Sequence, residues 1–86
     1  MIKARRKRSA DAYIYTKKEK VYCSDMYNVG DYGTFTEAKT ACANDANCGA
    51  VYDDGCDDTD SFTLCPINYA ESTSVSSCLY LKQGNI

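Results

Sequence analysis

Apolar and polar positions alternate along this chain in short blocks, each closed by glycine, proline or a run of charge, so the expected elements are small. A polar stretch to Asp11 reads as a flexible basic arm, residues 1–11, leaving residues 12–86 as a single domain. Ala12-Tyr13-Ile14-Tyr15-Thr16 has the aromatic and β-branched content of a strand, because such side chains pack well on a pleated surface. Lys17-Lys18-Glu19-Lys20 interrupts it with charge and is expected to be a solvated turn before a short strand at Val21-Tyr22-Cys23. Two glycines and small polar residues between Asn28 and Gly33 predict a loop.

The one helical period follows. Phe35, Ala38 and Cys42 fall on one face, with Glu37, Lys39, Thr40 and Asn44 available to water, which predicts an amphipathic helix over Phe35–Asn44. Thr34 stands at its start with Glu37 three positions later, a capping box in which each side chain satisfies a backbone N–H of the first turn. Beyond it, Cys48–Tyr52 reads as a strand and Asp53-Asp54-Gly55 as a turn. Ser61–Cys65 alternates with Phe62 and Leu64 on one face and ends at Pro66; Glu71–Ser77 has the Ser/Thr content of a flexible hairpin loop; Cys78–Lys82 closes the domain as a strand. The sum is an α+β fold, a single helix on a small curved antiparallel sheet.

Cysteine changes this picture most. Six cysteines, Cys23, Cys42, Cys48, Cys56, Cys65 and Cys78, are separated by 18, 5, 7, 8 and 12 residues, none forming the Cys-x-x-Cys pair of zinc ribbons or thioredoxin-like sites. Three structural disulfides are the economical reading. A chain of this length buries roughly two thirds of its unfolded surface at most, and a bridge closing a loop of about 50 residues adds on the order of 4 kcal/mol. Such bridges persist outside the reducing cytosol, so a secreted or extracellular location is expected. Residues Met1 to Lys20 hold no apolar run of signal-peptide or membrane-span length, so the chain is expected to derive from a longer precursor, with no membrane span.

Charge is divided unevenly. Arg5-Arg6-Lys7-Arg8 before Ser9 resembles the recognition sequence of furin-like and kexin-like processing proteases, with a solvated arm or a polyanion-binding patch as the other readings. From Ser9 onward five basic and twelve acidic residues remain, so cleavage after Arg8 moves the formal charge from −2 to −7. An acidic body is a poor partner for the phosphate backbone of nucleic acid, and none is expected. The chain contains no histidine, hence no usual general base and no imidazole metal ligand, and it is not expected to be an enzyme.

In Ala38-Lys39-Thr40-Ala41-Cys42-Ala43-Asn44-Asp45-Ala46-Asn47-Cys48-Gly49-Ala50-Val51-Tyr52, a helix cysteine is followed after five residues by a second cysteine that opens a strand. With Phe62-Thr63-Leu64-Cys65 and Ser77-Cys78-Leu79-Tyr80-Leu81-Lys82, this resembles the PAN/apple domain family over about Val21 to Lys82. The resemblance implies a helix cradled by a curved antiparallel sheet, and a nested pairing of Cys23 with Cys78, Cys42 with Cys65 and Cys48 with Cys56. The family position four residues before Cys42 is often cysteine and is Ala38 here, and the acidic loop around Cys56 is not a family signature. The resemblance further implies a non-catalytic recognition or adhesion module binding protein or carbohydrate. The other functional class is a free-standing secreted disulfide-rich effector, a toxin or protease inhibitor, released by cleavage after Arg8.

Two groups of side chains are candidate sites. Asp53, Asp54, Asp57, Asp58 and Asp60 crowd around Gly55 and Cys56; a solvated acidic turn is the first reading, with calcium or a basic protein surface as alternatives, and no cofactor is otherwise expected. Their order does not match an EF-hand loop. Among eight tyrosines, Tyr22, Tyr52 and Tyr80 flank strands and are assigned to the framework. Tyr27, Tyr32 and Tyr69 fall in expected loops, where a ring gives large contact area at low entropic cost, and are the candidate binding residues.

Overall fold

In the computed structural model, which describes residues 12–59 and 61–85, Thr34 caps the helix as its sequence dictates. Thr34 Oγ1 accepts from the Glu37 N–H at 3.1 Å, and Glu37 Oε1 accepts from the Thr34 N–H at 3.1 Å. The helix, α1, spans Phe35–Ala43 and buries Ala38, Cys42 and Ala43. Around it run β1 (Tyr13–Cys23), β2 (Tyr27–Tyr32), β3 (Cys48–Asp53), β4 (Phe62–Pro66) and β5 (Glu71–Asn85), in one antiparallel sheet of order β1-β5-β3-β4-β2. Among the described residues no helix is long and apolar enough to cross a membrane. The basic arm, the proposed processing site at Arg5, Arg6, Lys7, Arg8 and Ser9, and Asp60 lie outside the described residues.

Strand alternation divides the core in two. Register places Val51 beside Leu64 and Tyr80, and Asp53 beside Phe62 and Cys78; these rows face α1 and join Ala38 and Cys42 in one buried cluster. The intervening rows, Ala50 with Cys65 and Leu81, and Tyr52 with Thr63 and Leu79, face the other way. There Ala50, Cys65 and Leu79 pack with Val21 and Cys23 in a second cluster. β4 is therefore buried on both faces, with Phe62, Leu64 and Cys65 fully enclosed.

The second cluster exists because the β1–β5 ribbon folds over. Glu19 pairs with Cys78 but Val21 pairs with Thr73, so Lys20, at φ +63°, stands opposite the four residues Ser74–Ser77. Two contacts fix the corner. Ser77 Oγ donates to the buried Val21 carbonyl at 2.8 Å. Lys18 is in register with Leu79, yet its Nζ lies 2.6 Å from Glu71, which in a straight strand would sit about 26 Å further along. Beyond the corner, Cys23 comes within 6.1 Å of Cys65, Cα to Cα, although three strand spacings in a flat sheet would separate them by about 14 Å.

Two of the segments expected as turn or loop are strand in this ribbon. Lys17–Lys20 lies inside β1, because an edge ribbon exposes its side chains to water and charge there costs nothing in burial. Glu71–Ser77 opens β5, with Glu71, Ser72 and Thr73 laddered to Cys23, Tyr22 and Val21.

All six cysteines are bridged, as Cys23–Cys65, Cys42–Cys48 and Cys56–Cys78, which replaces the nested pairing. Cys65 alternates with Leu64 and so points away from α1, out of reach of Cys42, which closes instead on Cys48 just beyond the helix. Cys23 and Cys78 belong to opposite clusters. Cys48 opens β3 and Cys56 lies beyond its other end, a span of about 17 Å along the strand, whereas Cys78 is laddered to Asp53 three residues before Cys56.

Candidate functional site

β2, expected as a loop, is an edge strand with a wide bulge. Tyr27 pairs with Leu64 and Tyr32 with Phe62, so Asn28–Asp31 spans the width of Thr63 alone. Asn28 (φ +52°) and Gly30 (φ +69°) make the excursion, and the Gly30 N–H donates to Thr63 Oγ1 at 2.9 Å. A side chain at Gly30 would need a left-handed backbone and would meet Ser61 Oγ at 3.3 Å.

This bulge sets two of the candidate tyrosines against the helix. Tyr27 packs on the α1-side cluster and its hydroxyl donates to Asp45 Oδ2 at 2.6 Å; burial and that carboxylate push its ionisation above the usual range. Its polar tip is committed to the fold. The Tyr32 hydroxyl accepts from Asn28 Nδ2 at 3.1 Å, and its half-buried ring, with Thr36, Glu37, Thr40, Ala41 and Asn44, walls an open groove of about 410 Å³. Tyr69 is elsewhere, packed on the second cluster beside Cys23 and Cys65, its hydroxyl pushed up by burial and by Glu71. The three tyrosines therefore do not form one surface. Of the tyrosines assigned to the framework, Tyr80 is 6% exposed and packs against Phe35 with ring centroids 4.1 Å apart and planes tilted by 42°, while Tyr22 is 38% exposed.

Of the groove's helix-side wall, Glu37, Thr40 and Asn44 are expected to face water, and nothing in the helical period indicates what stands opposite them. The groove's chemistry is mixed: one aromatic ring, the methyls of Ala41 and the threonines, hydroxyls at Thr36 and Thr40, an amide at Asn44 and a carboxylate at Glu37. Asn44 Nδ2 donates to the Thr40 carbonyl at 2.8 Å and Glu37 is held by the cap, so both are fixed in orientation. Family models, curated proteins and solved structures yield no match to this chain. The groove is accordingly read from its own side chains: a flat ring with fixed polar groups suits a sugar or a polar peptide segment.

The acidic loop is built differently. Asp53 ends β3 and is fully buried in the row of Phe62 and Cys78. Its Oδ2 accepts from the Asp58 N–H at 2.9 Å, Oδ1 has no hydrogen-bond partner among the described residues, and burial above all raises its pKa, with Asp57 and Asp58 adding to the shift. Asp58 (φ +60°) accepts from the Tyr80 hydroxyl, and Asp54 from the Tyr52 hydroxyl at 3.3 Å. Asp57 accepts from the Thr59 N–H at 3.1 Å, which holds it below the usual carboxylate range. Among the described residues no three of these carboxylates offer oxygens within 4.8 Å of one another, as a shared cation requires; the one cluster that close is Glu19 with Cys56 and Cys78, whose sulfurs are already bonded together. The loop's carboxylates serve its own backbone and two tyrosines.

Proposed function

We propose that this protein is a non-catalytic extracellular recognition module, similar in kind to PAN/apple domains, that binds a protein or carbohydrate ligand. The observation that carries the reading is the groove between Tyr32 and α1, where an aromatic wall meets hydroxyl, amide and carboxylate groups held in place by the capping box and by Asn44. Three disulfides, common in proteins of oxidising compartments, support the extracellular setting. All three bridges depart from the pairing that the family likeness implied, so that likeness rests on the sequence pattern of the capped helix, Cys42 and Cys48 alone. Release by a processing protease after Arg8 is part of the same proposal and rests on the basic run alone.

A glycan array and an extracellular pull-down, each with the wild type, Tyr32→Ala and Thr36→Arg, test the reading. Thr36 is exposed, so the arginine blocks the groove without disturbing the core. Ligand captured by the wild type and lost in both variants supports the site. Capture that survives Thr36→Arg moves recognition elsewhere, and no capture by the wild type on either platform removes the reading.

A further inference from the structure

The three bridges differ in access. Cys23, Cys42, Cys48, Cys65 and Cys78 are each at most 2% exposed, whereas Cys56 is partly exposed. Cys56 lines a hollow of about 290 Å³ together with Glu19, Lys20, Gly55, Val75 and Ser76, which exists because β5 leaves the ladder over Ser74–Ser77. A Glu19 carboxylate oxygen lies within 4.8 Å of both sulfurs of the bridge. Cys78, by contrast, is enclosed in the sheet, laddered to Glu19 on one side and Asp53 on the other.

We propose that Cys56–Cys78 is a thiol-exchange site, the one bridge of the three open to a small-molecule thiol while the domain stays folded. The incoming thiolate attacks Cys56 Sγ from the hollow; a new S–S bond joins it to Cys56, the Cys56–Cys78 bond breaks, and the electron pair leaves on Cys78 sulfur, which takes a proton from water. No further oxidant or reductant is needed, since the thiol is the co-reactant. Attack falls on Cys56 because Cys78 presents no surface. The sheet retains its ladders and the other two bridges, while the acidic loop keeps lighter ties: Cys56 N–H to Asp53 O at 3.2 Å, Asp58 N–H to Asp53 Oδ2 at 2.9 Å, the Tyr80 hydroxyl to Asp58, and the Tyr52 hydroxyl to Asp54 at 3.3 Å. Exchange thus frees the most acidic segment of the chain and leaves the groove at Tyr32 untouched, so this inference is independent of the recognition reading.

The test is native protein in rising concentrations of reduced glutathione, quenched in acid, alkylated and mapped by peptide mass. The expected result is a glutathione adduct on Cys56 with alkylated Cys78, at concentrations that leave Cys23–Cys65 and Cys42–Cys48 closed. Another bridge opening first, or all three opening together, overturns it. In guanidinium chloride the preference is expected to vanish, and its persistence there would show that the folded hollow does not create it. Glu19→Gln removes the negative charge beside the sulfurs and is expected to speed exchange with glutathione several-fold; an unchanged rate would show that attack does not pass through this hollow.

Discussion

One face of the sheet is covered by α1, whose Phe35, Ala38 and Cys42 come from nine consecutive residues; the other is covered by Val21, Cys23, Met26 and Tyr69, drawn from separate segments by the fold-over of β1 and β5. The helix cover is local. It carries its own cap and its own short bridge, Cys42–Cys48, of sequence separation 6. The ribbon cover is non-local, so holding it down restricts a long stretch of chain, and it is tied by Cys23–Cys65, of separation 42, and by the Ser77–Val21 hydrogen bond. Two solutions to the same burial problem therefore place their stabilisation differently, one in secondary structure and the other in covalent closure.

Breaking the two staples separately gives the largest contrast. Replacing Cys23 and Cys65 together by serine is expected to cost about 4 kcal/mol, from the entropy of the longer loop, and the Cys42 and Cys48 double replacement about 2 kcal/mol. Urea unfolding of the two variants checks this, and equal losses would dissolve the contrast. Next comes Gly49→Ala, at the start of β3, the strand both faces share. A Cβ there would lie 2.7 Å from Ile67 Cα and 2.9 Å from the Pro66 carbonyl, both backbone, so neither face can yield. A loss of about 2 to 3 kcal/mol in thermal melting is expected.

The same contrast explains what could be read from the sequence. α1 was legible because its signals lie within one window: Thr34 and Glu37 three apart, then apolar positions at helical spacing. β3, β4 and the Cys78–Lys82 part of β5 were legible as short runs rich in apolar and aromatic residues, with Phe62 and Leu64 alternating in β4. The fold-over was not. Lys17–Lys20 and Glu71–Ser77 carry turn-like composition and become strand only because Lys17–Glu19 ladders to Cys78–Tyr80 and Glu71–Thr73 to Val21–Cys23, a fact stored in the register between residues 48 to 63 positions apart. The disulfide pairing went wrong for the same reason, since Cys23 meets Cys65 only across that corner. At the groove, Tyr32 is legible as a candidate and Glu37, Thr40 and Asn44 as a wet helix side, while Thr36 and Ala41 carry no such signal and the meeting of the two walls depends on the β2 bulge at Asn28 and Gly30.

A smaller effect sharpens the helix side. Thr34→Ala removes the acceptor for the Glu37 N–H and one half of the capping box, at about 1 kcal/mol. Because the helix cover is local, the loss is expected in hydrogen exchange of the first-turn amides of α1, with protection of Val21–Cys23 unchanged. Faster exchange at both places would mean that the two covers unfold as one unit.

The smallest effect is a pH dependence that separates the buried end of β3 from the exposed loop after it. Burial raises the folded pKa of Asp53 above its unfolded value near 3.8, so the folded state holds this proton more tightly. Stability then declines as pH rises from the unfolded value to the folded one, because ionising a buried carboxylate whose Oδ1 has no hydrogen-bond partner among the described residues costs the native state alone. Asp57 has the opposite sign: its carboxylate is held low by the Thr59 N–H, so its contribution is present above about 3.8 and is lost as pH falls toward its lower folded value. Asp53→Asn keeps the acceptor for the Asp58 N–H while removing the charge. It is expected to abolish the decline above pH 4 and leave the loss at lower pH in place, as read from urea midpoints across the acid range. A variant whose profile overlays the wild type would place the Asp53 carboxylate in contact with water and remove it from the row it shares with Phe62 and Cys78.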